Sequence, residues 1–250
     1  MSLGLSPLPK DAARRRIFLM RHGSVDYFDE DGHPVRPDTV PLSPRGRLQA
    51  LAAGDDFAAL KLKFDRVIVS GLPRTTETAS LALSRLASVP RIEMIPELRE
   101  IEGGRFADIP AAEVEQAFIG AFASTADADA KFLGGEKIAH FLARVLPQVD
   151  ALRADASWDC VLLVLHGGVN RAILSYLLTG EIKLHGGFAQ DPACINAIDV
   201  GADKHDAILR VVNYAPLDKL QTATRKTTME ELLEKFLAYK RKIDQGSVTR

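Results

Sequence analysis

Two uninterrupted apolar runs organise the chain, Ile17-Phe18-Leu19-Met20 and Cys160-Val161-Leu162-Leu163-Val164-Leu165. Neither alternates with polar residues, so each predicts a strand buried on both faces, as in a parallel sheet. Residues 16–21 form the first strand, Arg66 to Ser70 a second buried one, and Arg91 to Ile95 a short third. Between them the period changes to that of helices. Ser43 caps a helix with Pro44 at its first position, which runs through Leu48, Leu51, Ala52, Phe57 and Leu60. Helices are also predicted from Thr75 to about Ala87, from Glu136 to Leu152 and from Val169 to Leu178. Ile195 to Val200 and Ala207 to Val212 read as a hairpin at the sheet edge. A capping box from Thr228 to Glu231 opens a charged amphipathic helix that ends near Lys242. Asp26 to Pro41 is a polar loop broken by Gly32, Pro34, Pro37 and Pro41, and Ala111 to Lys131 is irregular and alanine-rich. The alternation of strand and helix predicts an α/β fold, a three-layer α/β/α sandwich with a mostly parallel sheet. The domain reading is a flexible arm over 1–15, a domain over 16–213 with a cap at about 105–134, and a helical extension over 214–250.

Composition narrows the class without defining it. A chain of 250 residues with 46% hydrophobic and 26% charged residues fits one large α/β domain or two small ones. The net charge of -1 gives no reason to expect nucleic acid or a membrane surface as partner. Met1 to Lys10, interrupted by Pro7 and Pro9, does not read as a signal-peptide core, and two cysteines do not make a disulfide framework. The expected location is therefore the cytoplasm. A homodimer is left open.

The chemistry lies at the strand ends. Arg21-His22-Gly23 directly follows the first strand and His166-Gly167-Gly168 follows the late apolar one. Ligands of open α/β sheets bind beyond the carboxyl ends of the strands, so two histidines distant in sequence are expected at one sheet edge. Four more segments join them. They are Pro41-Leu42-Ser43-Pro44-Arg45-Gly46, Ser70-Gly71-Leu72-Pro73-Arg74 with Thr78-Ala79, Leu98-Arg99-Glu100 before Gly103-Gly104, and Gly134-Gly135-Glu136.

In this order the segments resemble the histidine phosphatase superfamily, the phosphoglycerate mutase-like family, over about residues 16–213. The resemblance implies a phosphoglycerate mutase-like fold and makes His22 the nucleophile that accepts a phosphoryl group. It implies that Arg21, Arg74, His166 and Gly167 hold the phosphate, and that Glu100 is the proton donor. The residue types suit that chemistry. Phosphoryl transfer needs a nucleophile, cations around the equatorial oxygens and an acid for the leaving oxygen. An imidazole can be the first, guanidinium groups the second and a carboxyl the third. Glu97 and Glu102 compete with Glu100 for the acid role, and the family's spacing to a downstream glycine favours Glu100. Ser24, Ser43 and Phe106 are expected at the substrate entrance. Ser24 stands where the family often has Glu or Gln, and Arg105 to Asp108 lacks the family's usual aromatic-acid-Gly ending, leaving open how the acid loop is propped.

Other motifs have plainer readings. His185-Gly186-Gly187 copies the His-Gly-Gly pattern but follows a short polar segment and reads as loop. His33, His140 and His205 have no partner pattern, and no ligand spacing supports a metal. Gly134-Gly135-Glu136-Lys137 is not a phosphate-binding P-loop. No cofactor is expected.

The expected function is hydrolysis of a small phosphorylated metabolite through a phosphohistidine, without a metal. The first alternative is a phosphomutase of the phosphoglycerate mutase type. Residues 108–130 carry Asp108, Glu113, Glu115, Asp127 and Asp129 but no Arg or Lys, a poor clamp for a second anionic group. The alternative of another class is a non-catalytic phosphate-ligand binder, which would be expected to have lost His22, Arg74, His166 or Glu100.

Overall fold

The computed structural model describes residues 14–29, 33–104, 109–120, 125–220 and 222–244. Phe106 and the expected arm up to residue 13 lie outside them. Six strands form one sheet: β1 (Arg15–Arg21), β2 (Arg66–Val69), β3 (Ile92–Met94), β4 (Cys160–Leu165), β5 (Ile195–Val200) and β6 (Ala207–Tyr214). Their order is β3-β2-β4-β1-β5-β6. β1 pairs parallel with β4, in register from Arg16↔Cys160 to Arg21↔Leu165, and antiparallel with β5. β2 runs parallel to both β3 and β4, while β5 and β6 form the antiparallel hairpin expected at the edge.

The helices are α1 (Pro44–Ala59), α2 (Pro73–Leu83), α3 (Val114–Ile119), α4 (Ile138–Ala154), α5 (Gly167–Thr179) and α6 (Thr228–Asp244). Alternation along the central strands divides the core in two. Met20, Val67, Val69, Leu162 and Val164 face α1 and α2, where Phe57, Ala79 and Leu83 meet them. Ile17, Leu19, Ile68, Leu163 and Leu165 face α4 and α5, where Phe141, Val145 and Ile173 fill the opposite layer. The fold is the three-layer α/β/α sandwich, and the parallel pairings all lie on the β3 side of β1.

Several boundaries differ from the sequence expectation, each for a local reason. α2 begins at Pro73, not Thr75, because proline suits the first helical position. α5 begins at Gly167 with His166 as the residue before it. α4 begins at Ile138 because Glu136 is used in a loop, its N–H donating to the Glu102 carbonyl. The capping box of α6 is shifted by one residue. Thr227 Oγ1 accepts from the Glu230 N–H, and Glu230 Oε2 accepts from the Thr227 N–H at 2.6 Å. The run Thr227-Thr228-Met229-Glu230-Glu231 contains the motif twice in adjacent frames, and the first frame closes the box.

Candidate active site

The carboxyl ends of β1, β4 and β2 deliver the first groups. Arg21 ends β1, His22 follows it, and the His22 N–H donates to the Leu165 carbonyl at the end of β4. His166 follows Leu165, and Ser70 follows β2. The two imidazoles meet edge to face with centroids 5.3 Å apart. Arg21, His22, Arg74 and His166 are all buried. The structure therefore brings together residues from three separate segments.

The backbone around His22 depends on close approach. A Cβ on Gly23 would stand 2.4 Å from the Gly46 carbonyl oxygen, and one on Gly46 would stand 2.1 Å from that of Ser24. The first turn of α1 thus lies directly against the His22 loop. Thr78 Oγ1 accepts from the Gly23 N–H at 3.0 Å, and Gln49 Oε1 accepts from the Ser24 N–H at 2.9 Å. Ser43 caps α1 by accepting from the Gly46 N–H and donates its hydroxyl to the Ser24 carbonyl.

Hydrogen bonding orients the imidazoles. His22 Nδ1 lies 2.7 Å from the Gly23 carbonyl, so Nδ1 carries the proton and Nε2 keeps its lone pair. Burial first, then the charges of Arg74 and Arg21, hold the His22 pKa well below its ordinary value. The ring is therefore neutral near pH 7. His166 Nε2 lies 2.7 Å from Ser70 Oγ, and its buried Nδ1 has no protein partner. Burial, followed by Arg74, His22 and Arg21, also lowers the His166 pKa strongly. Two proton arrangements satisfy this chain. In one, Ser70 donates to Nε2 and Nδ1–H is free to donate. In the other, Nε2–H donates to Ser70, which donates on to Thr75 Oγ1 at 3.1 Å. Nδ1 is then a donor only in the cation, which a nearby dianion would favour.

The guanidinium groups are anchored at one end and open at the other. Arg21 Nη1 donates to the Gln190 carbonyl at 2.5 Å and to Thr228 Oγ1 at 2.8 Å, while its buried Nε has no protein partner. Arg74 Nη1 donates to the Pro37 carbonyl at 2.5 Å, and its buried Nε is likewise unpaired. Three buried donors without partners are costly in a dry site unless a ligand takes them. Arg171, whose pKa burial and then Arg21 push down to about 10, remains charged at neutral pH and adds to the positive field. A Cβ on Gly167 would lie 3.3 Å from Arg171 Nη1 and 3.4 Å from Arg21 Nε, so Gly167 sits between these cations.

Among the three candidate carboxylates, Glu100 turns inward while Glu97 and Glu102 are exposed. Glu100 Oε2 accepts from the Gly168 N–H and Oε1 from the Ile101 N–H, both at 3.1 Å. A Cβ on residue 168 would come within 2.5 Å of Glu100 Oε1, so a larger residue there would push this carboxylate aside. Arg144 of α4 props the loop. Its Nη1 donates to the carbonyls of Glu97 and Arg99, its Nη2 donates to that of Glu100, and Nε and Nη2 form a fork on Glu136. Glu136 also accepts from the Glu102 N–H.

Beyond His22 opens a cavity of about 430 Å³, lined in part by Ser24, Ser43, Arg45, Thr228 and Lys235. Ser24 and Ser43 both line this cavity. His185 lies in the loop between α5 and β5, its Nδ1 against Thr125 Oγ1. Sequence reasoning missed Arg144, Thr228, Arg171 and Gln190, and gave Ser70 and Thr78 a place in a motif but no task. Among the described residues, no group of three His, Cys, Asp or Glu side chains could hold a metal ion.

Comparison with known proteins agrees with this geometry. The sequence profile of the histidine phosphatase superfamily (branch 1) matches residues 17–213, and the chain belongs to that family. It is 30% identical over 175 residues to the broad-specificity phosphatase YOR283W of Saccharomyces cerevisiae, covering 68% of this chain and 73% of that protein. It is 40% identical over 84 residues to the mitochondrial serine/threonine-protein phosphatase Pgam5 of Drosophila virilis, a match spanning 27% of that protein and 32% of this chain. Among solved structures, the alpha-ribazole phosphatase from Shigella flexneri superposes with a TM-score of 0.60 at 27% identity, covering 79% of this chain and 96% of that one. The mycobacterial glucosyl-3-phosphoglycerate phosphatase Rv2419c gives 0.61 at 26% identity, covering 80% and 99%.

Proposed function

We propose that this protein is a phosphomonoester hydrolase acting through a phosphohistidine at His22 on a small phosphorylated metabolite. The observation that carries the reading is the set of buried, unpaired donors around His22: Arg21 Nε, Arg74 Nε and His166 Nδ1. Preorganised donors of this kind suit a phosphoryl group, whose charge spreads over three equatorial oxygens in the transition state. Phosphatase names among the relatives and structural neighbours support the same reaction class.

The neutral His22 Nε2 attacks phosphorus. A P–N bond forms as the ester P–O bond breaks. Arg21, Arg74 and His166 hold the transferring oxygens, and protonated Glu100 gives its proton to the leaving alkoxide. Glu100 then takes a proton from water, whose oxygen attacks the phosphohistidine. The P–N bond breaks and inorganic phosphate leaves. The arginines supply the positive charge that a metal provides elsewhere, which supports a metal-independent reaction.

Hydrolysis is favoured over phosphoryl mutation by the acidic character of residues 108–130. A non-catalytic binder would have no need of an inward carboxyl held 3.1 Å from the Gly168 N–H. The cavity of about 430 Å³ suits a small metabolite. A reducing compartment such as the cytoplasm is supported by two unpaired cysteines, Cys160 and Cys194. Among the described residues, no helix is long and apolar enough to cross a membrane.

The test is rapid quench with ³²P-labelled substrate. An acid-labile, base-stable phosphoprotein should accumulate and disappear in His22→Ala, with a rate loss of at least about 10³-fold. Turnover that survives His22→Ala overturns the assignment.

A further inference from the structure

The family match ends at residue 213, yet a helix beyond it reaches the site. α6 is docked on the core. Leu233 and Phe236 are buried in the main hydrophobic cluster, with Met229 and Leu232 packed beside them. Phe236 stacks on Phe118 of α3 with centroids 5.3 Å apart, and Tyr239 meets Phe28 and His33 of the loop after β1. This seating leaves a second stripe, Thr228, Glu231 and Lys235, spaced three and four residues apart on one side of the helix. All three line the cavity beside His22.

The shifted capping box explains how this stripe became available. Thr227 and Glu230 satisfy the first turn of α6. The second threonine-glutamate pair is thereby released from capping. Thr228 instead accepts a hydrogen bond from Arg21 Nη1 at 2.8 Å, which with the Gln190 carbonyl fixes the guanidinium whose Nε is open. Lys235 lies about 10 Å further along the axis, two turns from the phosphate end. Its ammonium is 4.0 Å from Asp26, a loose and exposed pair.

We infer that α6 is a working wall of the active site, in which Thr228 positions Arg21 for the phosphate and Glu231 and Lys235 set the charge preference for the leaving group. This rests on the proposed phosphatase reading. The stripe carries one charge of each sign, so its two charged residues act in opposite directions. Lys235 favours leaving groups with an acidic substituent, and Glu231 favours those with a basic one. Because both side chains are exposed, screening limits each effect to a few-fold.

The experiment uses the full chain and separates the two readings. Turnover of para-nitrophenyl phosphate by the wild type tests the phosphatase reading alone. Calorimetric titration with inorganic phosphate tests Thr228 without requiring turnover. Thr228→Val should weaken phosphate about 5- to 10-fold, the scale of one ordinary hydrogen bond, because Thr228 acts through Arg21 and does not touch the phosphate itself, whereas Thr228→Ser should stay within about twofold. For the charge stripe, 3-phosphoglycerate, glycerol 3-phosphate and O-phosphoethanolamine are titrated onto Lys235→Glu and Glu231→Lys, each in a His22→Ala background that prevents consumption. Lys235→Glu should move the affinity ratio towards the cationic ester by about threefold or more, and Glu231→Lys should move it towards the anionic one. Phosphate affinity unchanged in Thr228→Val, or ester ratios unchanged in both charge variants, overturns the inference.

Discussion

Replacing Arg144 with methionine should cripple proton donation while leaving phosphate binding largely intact. The side chain keeps its apolar stem, so packing beside Phe141 is preserved, but five hydrogen bonds are lost. Three of these hold carbonyls of the acid loop and two form the fork on Glu136. The Glu136 side chain is only 13% exposed, so removing its partner leaves a mostly buried carboxylate without its main cation. Breaking a buried pair in this way costs roughly 3–5 kcal/mol, and partial access to water at Arg144 places this case near 3 kcal/mol. The kinetic consequence is more specific than the loss of stability. The loop that aims Glu100 loses its only guanidinium clamp among the described residues. Alkyl phosphates leave as strongly basic alkoxides and need the acid, whereas para-nitrophenolate leaves readily. Turnover of glycerol 3-phosphate should therefore fall on the order of 10²-fold, and that of para-nitrophenyl phosphate less than about 10-fold. Arg144→Lys retains the charge but cannot fork to Glu136 and three carbonyls, so it should recover stability better than alkyl turnover. Equal losses for both esters in Arg144→Met, at a temperature where the variant is folded, would refute the argument.

Three further outcomes follow from the geometry. Glu100→Gln should reproduce the leaving-group-dependent loss, while Glu97→Gln and Glu102→Gln, both at exposed carboxylates, should leave the alkyl-to-aryl rate ratio within about twofold; a split caused by Glu102→Gln would move the acid by two residues. The folded pKa values of His22 and His166 lie below the ordinary value of 6.5, so the unfolded chain takes up these protons first. Stability is then fully present above about pH 6.5 and lost as pH falls towards the folded values. Melting temperature should drop on acidification from pH 7.5 to 5.5, less steeply in His166→Gln, and a parallel drop in that variant would contradict the burial argument. Activity should survive EDTA and be inhibited by vanadate, which mimics the five-coordinate phosphoryl group; loss in EDTA with recovery on adding Mg²⁺ or Zn²⁺ would show that the arginines do not suffice.

The parts of the site legible in sequence were those set by local pattern. Apolar runs placed β1 and β4, and a residue following a buried strand must emerge at the sheet edge, so His22 and His166 could be expected together. Ser43 and Pro44 marked the start of α1 for equally local reasons. Arg144 is illegible because one cation on an amphipathic helix looks like a solvated charge; three of its five hydrogen bonds go to carbonyls more than forty positions away. The capping frame of α6 is ambiguous in sequence because Thr-Thr-Met-Glu-Glu satisfies the motif twice; in the structure Thr227 and Glu230 close the box, and Thr228 accepts from Arg21, a residue more than two hundred positions away. Ser70 belonged to a visible motif, but its bond to His166 depends on the pairing of β2 with β4.

The place of β1 in the sheet also constrains how the chain is made. Its neighbours on either side are β4 and β5, so β1, once synthesised, has neither of its sheet partners until residues 160–165 emerge and is not enclosed until 195–200 follow. At about 5–20 residues per second, that wait is roughly 10–40 s. During it, Ile17 to Met20 is an unpaired apolar strand on a growing chain, guarded by Arg14, Arg15 and Arg16 on one side and Arg21 on the other. Non-local pairing of this kind makes folding slow and exposes the nascent chain to association. The nucleophile rides on the end of that strand, so a ribosome-bound fragment lacking β4 carries His22 but has no active site.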